Sequence, residues 1–208
     1  MVLYVIITNT SGRSIHPQNV TSVLFHQVHA YFFTGWNWTL SSTLRAPVPT
    51  SGERFGSSVS LHEQTGVVGV PLHDASSVSD SGAAFVYHRN ERSDVWSLEA
   101  ILAAPTPVEN LQCAVSVAVR DDYAVIGCPF EADGGVVHLF QRVPMAEDPA
   151  MATLAGVVSG NTWTHVTVLS TVNIHNGDQF GFSVAIALSY NPDAELGGNV
   201  GHPFASAL

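Results

Sequence analysis

Apolar residues along this chain fall in short bursts, rich in valine and aromatic residues and cut by Gly, Pro, Asp and Ser. No 3.6-residue period is sustained, so the pattern predicts strands and turns rather than helices. In the first clear stretch it predicts four strands, over 55–61, 67–71, 82–88 and 96–102. Side chains alternate across a strand, so the first of these divides into two faces. One carries Phe55, Val59 and Leu61; the other carries Gly56, Ser58 and Ser60. A face that merely met water would carry larger polar residues. A row of Gly and Ser predicts instead a second sheet lying close against it.

The same pattern recurs. Trp38, Trp96 and Trp163 each precede a leucine at one fixed offset: Leu44, Leu102 and Leu169. At a second fixed offset stand Phe55, Cys113 and Phe180, followed by Gly56, Ala114 and Gly181, then Ser58, Ser116 and Ser183, then Val59, Val117 and Val184. The large face of the second copy reads Cys113, Val115, Val117, Val119, and that of the third Phe180, Phe182, Val184, Ile186. Further on, "VVGVP" at 67–71 returns as "VIGCP" at 125–129, and "GAAFVYHR" at 82–89 returns as "GVVHLFQR" at 135–142. Length differences fall in the polar connections while the strand-like runs keep their size, as loops and strands should. Repeated four-stranded units with a small-residue face describe an all-β fold, a β-propeller type of repeat with about three blades.

The recurring residues resemble the FG-GAP repeat, the blade unit of integrin alpha-subunit propellers and of many extracellular repeat proteins. The resemblance rests on Phe55-Gly56 and Phe180-Gly181, on Gly69-Val70-Pro71 and Gly127-Cys128-Pro129, and on Trp96 with its counterparts Trp38 and Trp163. It covers residues 38–187, with units starting near 38, 96 and 163. Residues 1–37 then read as the end of a preceding blade or an irregular segment, and 188–208 as a divergent tail. Since a propeller of this family has more blades than this chain supplies, the resemblance implies a part of a longer propeller. The tryptophans, the Phe-Gly pairs and the Gly-x-Pro elements are expected to be architectural.

In this family a calcium-binding blade carries a ladder of carboxylates between its first two strands. Here that connection is His62-Glu63-Gln64-Thr65-Gly66 in one copy and Arg120-Asp121-Asp122 in the next. Calcium needs six to eight oxygens, so neither a calcium site nor any other cofactor or metal is expected. Cys113 and Cys128 lie on the two strands of one hairpin, within reach of a disulfide. They also read as two independent small core residues standing in for a motif phenylalanine and a motif alanine, and that second reading is preferred.

Composition narrows the function. Acidic residues number 17 against 7 basic ones, for a net charge of −10, which repels nucleic-acid phosphates. No apolar run approaches the length of a membrane span, so no membrane insertion is expected. Ten histidines occur without a zinc-protease spacing, and no nucleophile elbow or phosphate loop is present, so the chain is read as non-enzymatic. Function is then expected on loops, where scaffolds diverge. In the family these are the connections from second to third strand and from one unit to the next, here 72–81, 130–134, 103–112 and 170–179. The candidate binding residues are Asp74, Ser76, Asp80, Glu131 and Asp133. The resulting expectation is an interaction module for a protein or glycan, extracellular or on the cell surface and active in adhesion, with further blades on a longer chain or another subunit as additional partners. The alternatives are an accessory segment of a larger extracellular hydrolase, or a structural or degenerate remnant.

Overall fold

The structure is a computed structural model that describes residues 3–9, 27–144, 161–173, 175–187 and 204–207; of 3–9, 144, 161 and 204–207 it describes the backbone alone. Most of the expected divergent tail, 188–203 and Leu208, lies outside the described residues, as do 1–2 and 10–26 of the N-terminal segment.

Among the described residues, thirteen strands form four antiparallel sheets in chain order. The first holds β1 (Leu3–Asn9), β2 (Gln27–Phe33) and β3 (Trp38–Leu44). The second holds β4 (Ser58–His62), β5 (Thr65–Val70), β6 (Ala83–Arg89) and β7 (Trp96–Leu102). The third, equally four-stranded, holds β8 (Ser116–Arg120), β9 (Tyr123–Cys128), β10 (Val136–Pro144) and β11 (Asn161–Leu169). The last pairs β12 (Val184–Ala187) with β13 (Phe204–Ala207). The two four-stranded sheets are meanders joined neighbour to neighbour, the blade of a propeller-type fold.

Apolar packing lies between sheets, not within one. Val28, Ala30 and Leu44 of the first sheet share a core with Val68, Val70 and Phe85 of the second. Val67, Ala84 and Val86, from the opposite face of that second sheet, share a core with Val117, Ile126 and Phe140 of the third. Val125, Val137 and Leu139 of the third face Val184 and Ile186 of β12. Strand alternation therefore buries both faces of the central sheets, which is why β5 and most of β6 read as nearly continuous apolar runs.

The expected first strands begin later than their apolar alternation suggests. Phe55-Gly56, Cys113-Ala114 and Phe180-Gly181 are turns, and the strands start at Ser58, Ser116 and Val184. Each turn places two residues at positive φ: Arg54 and Gly56, Gln112 and Ala114, Gln179 and Gly181. A left-handed residue breaks the ladder, so period-two alternation continues in sequence but not in space. Phe55 still reaches the core, edge-on to Phe85 at 5.9 Å. Phe182, expected on the large apolar face, instead stands 57% exposed because its N–H closes the turn on the Gln179 carbonyl. The remaining boundaries move by one or two residues: β5 starts at Thr65 and ends at Val70, and β6 runs from Ala83 to Arg89.

Small residues sit where one sheet meets the next. A Cβ on Gly127 would lie 1.8 Å from the Gly181 carbonyl oxygen, and one on Gly69 2.2 Å from that of Ala114. Beside each glycine a serine bridges the gap: Ser58 Oγ donates to the Ala114 carbonyl at 3.0 Å and Ser116 Oγ to that of Gly181 at 2.7 Å. Ser60 Oγ accepts the Val119 N–H at 3.1 Å. The small face of the sequence is thus a hydrogen-bonded seam.

Two of the motif tryptophans, Trp38 and Trp96, open β3 and β7, and Trp163 is the third residue of β11. Trp96 is buried in the core against the preceding sheet, and Trp163 lies under the Arg142 guanidinium at 5.2 Å. Trp38, expected as an equal packing anchor, rests on Phe33 but stays 48% exposed, because its sheet has no preceding sheet among the described residues.

Replacing Gly127 by alanine is expected to cost about 3 kcal/mol, since backbone and not a flexible side chain blocks the new methyl. Gly35→Ala, where φ is +95° but nothing stands within 4 Å, should cost only about 1 kcal/mol. Urea unfolding of both variants measures the difference; equal losses would mean that the seam does not limit side-chain size.

Candidate functional site

Gly69-Val70-Pro71 and Gly127-Cys128-Pro129 end their strands in the same manner. The His73 N–H bonds the Val70 carbonyl and the Glu131 N–H bonds the Cys128 carbonyl, at 3.1 and 3.2 Å. Pro71 and Pro129 therefore occupy the second position of a β-turn, where a fixed φ is favoured. The loops that follow lie at one end of the sheets, beside the loops that link each sheet to the next. The Asn110, Gln112 and Cys113 N–H groups donate to the Ser79, Asp80 and Ser81 carbonyls, each at 3.0 Å. One unit on, the Gly177 and Phe180 N–H groups donate to the Asp133 and Gly134 carbonyls at 3.2 and 2.7 Å. The four loops singled out in the sequence are thus joined in pairs by backbone hydrogen bonds.

The candidate residues differ in what they do there. Asp74 Oδ1 accepts the Asp80 N–H at 3.0 Å and so ties its own loop together, although the residue is exposed. Ser76, Asp80 and Asp133 hold positive φ, at 55°, 50° and 61°. Aspartate tolerates that conformation better than most residues, so the loops use these acids for shape as well as charge. Ser76 and Asp133 point into solvent, and Asp80 is half-buried.

Glu131 departs furthest from the loop-surface expectation. It turns inward, and the His138 Nε2–H donates to its Oε2 at 2.9 Å. His138 lies on β10 with a side chain 2% exposed, against 21% for that of Glu131. The other ring nitrogen of His138, Nδ1, is 3.0 Å from His165 Nε2 on the neighbouring β11. Loss of hydration lowers the pKa of His165, with the adjacent His138 adding to the effect and Glu131 opposing it.

Cys113 and Cys128 sit beside this chain, fully buried, and form a disulfide with Cα atoms 4.1 Å apart. The preferred reading as independent core residues is thereby corrected. The Phe55-type turn carries Cys113 back over the end of β9, which brings the two sulfurs together although Cys113 lies outside the ladder. Cys113 Sγ is 3.8 Å from Glu131 Oε2. Sequence reasoning missed His138 and His165, since a lone histidine in an apolar strand carries no spacing signal. The readable signal was the repeat itself, because His138 occupies the position of Phe85.

At the opposite end, the connections between the first and second strands of the two four-stranded sheets are two-residue turns, His62 pairing with Thr65 and Arg120 with Tyr123. His62, Glu63 and Asp121 gather there at the surface.

The disulfide closes a segment with a sequence separation of 15 residues, so its removal is expected to cost about 3 kcal/mol through loop entropy. Reduced and oxidised protein, unfolded in urea in a chelating buffer, should differ by about that amount; coincident curves would show the bond to be idle.

The comparison with curated proteins returned no match. Residues 38–87, which run from β3 through β4 and β5 into β6, match the family model of the FG-GAP repeat, and this stretch of the chain is an FG-GAP repeat.

Proposed function

We propose that the chain is a non-catalytic propeller repeat module that recognises a protein or glycan ligand through the loop end of its sheets, in the extracellular space or at the cell surface, where it contributes to adhesion. The observation that carries this reading is the pairwise hydrogen bonding of loops 72–81 with 103–112 and of 130–134 with 170–179. Joined in this way, loops of successive sheets present one shaped surface, and a rigid scaffold with polar loops is the arrangement in which binding residues collect. Asp74, Ser76 and Asp133 are exposed on it, so the ligand is expected to offer hydrogen-bond donors or positive charge. The FG-GAP repeat is in general a non-catalytic module found in extracellular proteins, which supports both the mode of action and the compartment. No helix among the described residues is long and apolar enough to cross a membrane. Further blades, on a longer chain or another subunit, are the second class of partner, with the exposed Phe182 and Val172 among the residues they would cover.

Labelled protein applied to a glycan array and to intact cells tests the reading. Asp80→Asn with Asp133→Asn removes charge while keeping a residue that tolerates positive φ. This pair should weaken binding about tenfold, a change of roughly 1.4 kcal/mol, at an unaltered melting temperature. Glu63→Gln with Asp122→Asn, at the far end, should leave binding unchanged. Equal effects of the two pairs, or no binding on either surface, would overturn the proposal.

A further inference from the structure

The two four-stranded sheets share the same strand register, and one corner of that correspondence changes chemistry altogether. In the second sheet the corner beneath the loops is apolar and aromatic: Phe55, Val70 and Phe85, with His73 edge-on to Phe85 at 5.1 Å. The registers Phe85 with Val68 and His138 with Ile126 fix the equivalences in the third sheet. There the same four places hold Cys113, Cys128, His138 and Glu131. One ligand atom from each, two sulfurs, a ring nitrogen and a carboxylate oxygen, lies within 4.8 Å of all the others.

A disulfide explains two of these substitutions. It does not explain why a histidine 2% exposed and a half-buried carboxylate stand against it, since burying such groups is costly and the second sheet holds Phe55, Val70 and Phe85 at three of the same four places, with His73 at the fourth turned to the Glu53 carboxylate at 3.0 Å. Two thiolates, an imidazole and a carboxylate are a donor set suited to zinc, which takes four ligands in a tetrahedron. With Zn–S bonds of about 2.3 Å, two thiolates span about 3.8 Å, so cleaving the bond and letting each sulfur turn on its Cα–Cβ axis would open room for an ion. Nδ1 of His138 already faces His165 Nε2 at 3.0 Å. In the reduced form the imidazole proton would shift from Nε2, where it now bonds Glu131, to Nδ1, where His165 Nε2 would accept it, and Nε2 would be left for a metal, as with an orienting partner of a zinc-bound histidine.

We propose that Cys113, Cys128, Glu131 and His138 form a zinc site open only when their disulfide is reduced, so that the corner is closed either by a sulfur–sulfur bond or by a metal ion. The exchange balances. A dithiol reductant gives two electrons and two protons to the disulfide, yielding two cysteine thiols and its own disulfide. Zinc then displaces the two thiol protons and binds two thiolates, neutral His138 and the Glu131 carboxylate. An oxidising compartment favours the first form and a reducing one the second. The inference does not depend on the proposed ligand surface.

Cobalt and zinc titrations of the whole chain, reduced with a phosphine under argon, test the site. Reduced protein should take up one ion, show a thiolate-to-cobalt charge-transfer band with tetrahedral d–d bands, and melt at a higher temperature with zinc than without it. Oxidised protein should show no charge-transfer band. Glu131→Gln and His138→Gln, each verified as folded by the near-ultraviolet circular dichroism of its oxidised form, should lose at least about tenfold in affinity, and His165→Gln about tenfold. The proposal fails if reduced protein gives no thiolate band. It also fails if the Glu131 and His138 variants bind as tightly as the parent, or if zinc binds without raising the melting temperature, as metal held by unfolded cysteines would.

Discussion

Everything in this structure depends on how closely one sheet can approach the next. Gly69 and Gly127 leave no room for a methyl group because the carbonyls of Ala114 and Gly181 occupy that space. A backbone carbonyl buried at such a seam needs a donor, and the hydroxyls of Ser58 and Ser116 provide it. Glycine for clearance and serine for the hydrogen bond act together: clearance alone would leave the carbonyls unpaired, and the serine alone would not reach. Given that spacing, Val67, Ala84 and Val86 can meet the next sheet's apolar face, and the loops at the sheet ends fall within hydrogen-bonding distance.

The strand plan was legible because it repeats. Valine-rich runs, Pro after a strand and small residues in a row all report local physics that recurs at matching positions. What the alternation concealed was the turn at Phe55-Gly56 and its two copies. Their side chains keep an apolar-small order, and only the backbone, at positive φ, departs from a strand. Ala114 shows how weak that signal is, since an alanine holds φ +65° where its counterparts are glycines. Trp38 and Trp96 are indistinguishable in sequence, yet one is half exposed and the other buried. The difference lies in whether a preceding sheet covers them, which a repeat position cannot encode.

The loop candidates were found as a region rather than as a constellation. Asp74, Ser76, Asp80 and Asp133 do lie on joined loops, but three of the four hold unusual backbone conformations, a duty their side-chain type only hints at. Glu131 was read as one more surface acid, and its inward turn follows from Pro129, which fixes the turn that aims it at His138. That contact joins a loop to the middle of a strand, so no linear spacing predicts it. Comparing the two blades position by position exposes it, because only one of them exchanges phenylalanine and valine for cysteine and histidine.

Sequence unit and sheet are out of phase. The FG-GAP match takes in β3, the last strand of one sheet, together with β4, β5 and β6 of the next. A gene segment copied in this phase never encodes a self-sufficient sheet. Every junction between copies leaves one strand promised to a neighbour, so tandem duplication yields links that interlock as they are added. Loss of a single copy would rejoin the flanking links in the same phase, and blade number can drift over generations without a half-sheet ever being stranded.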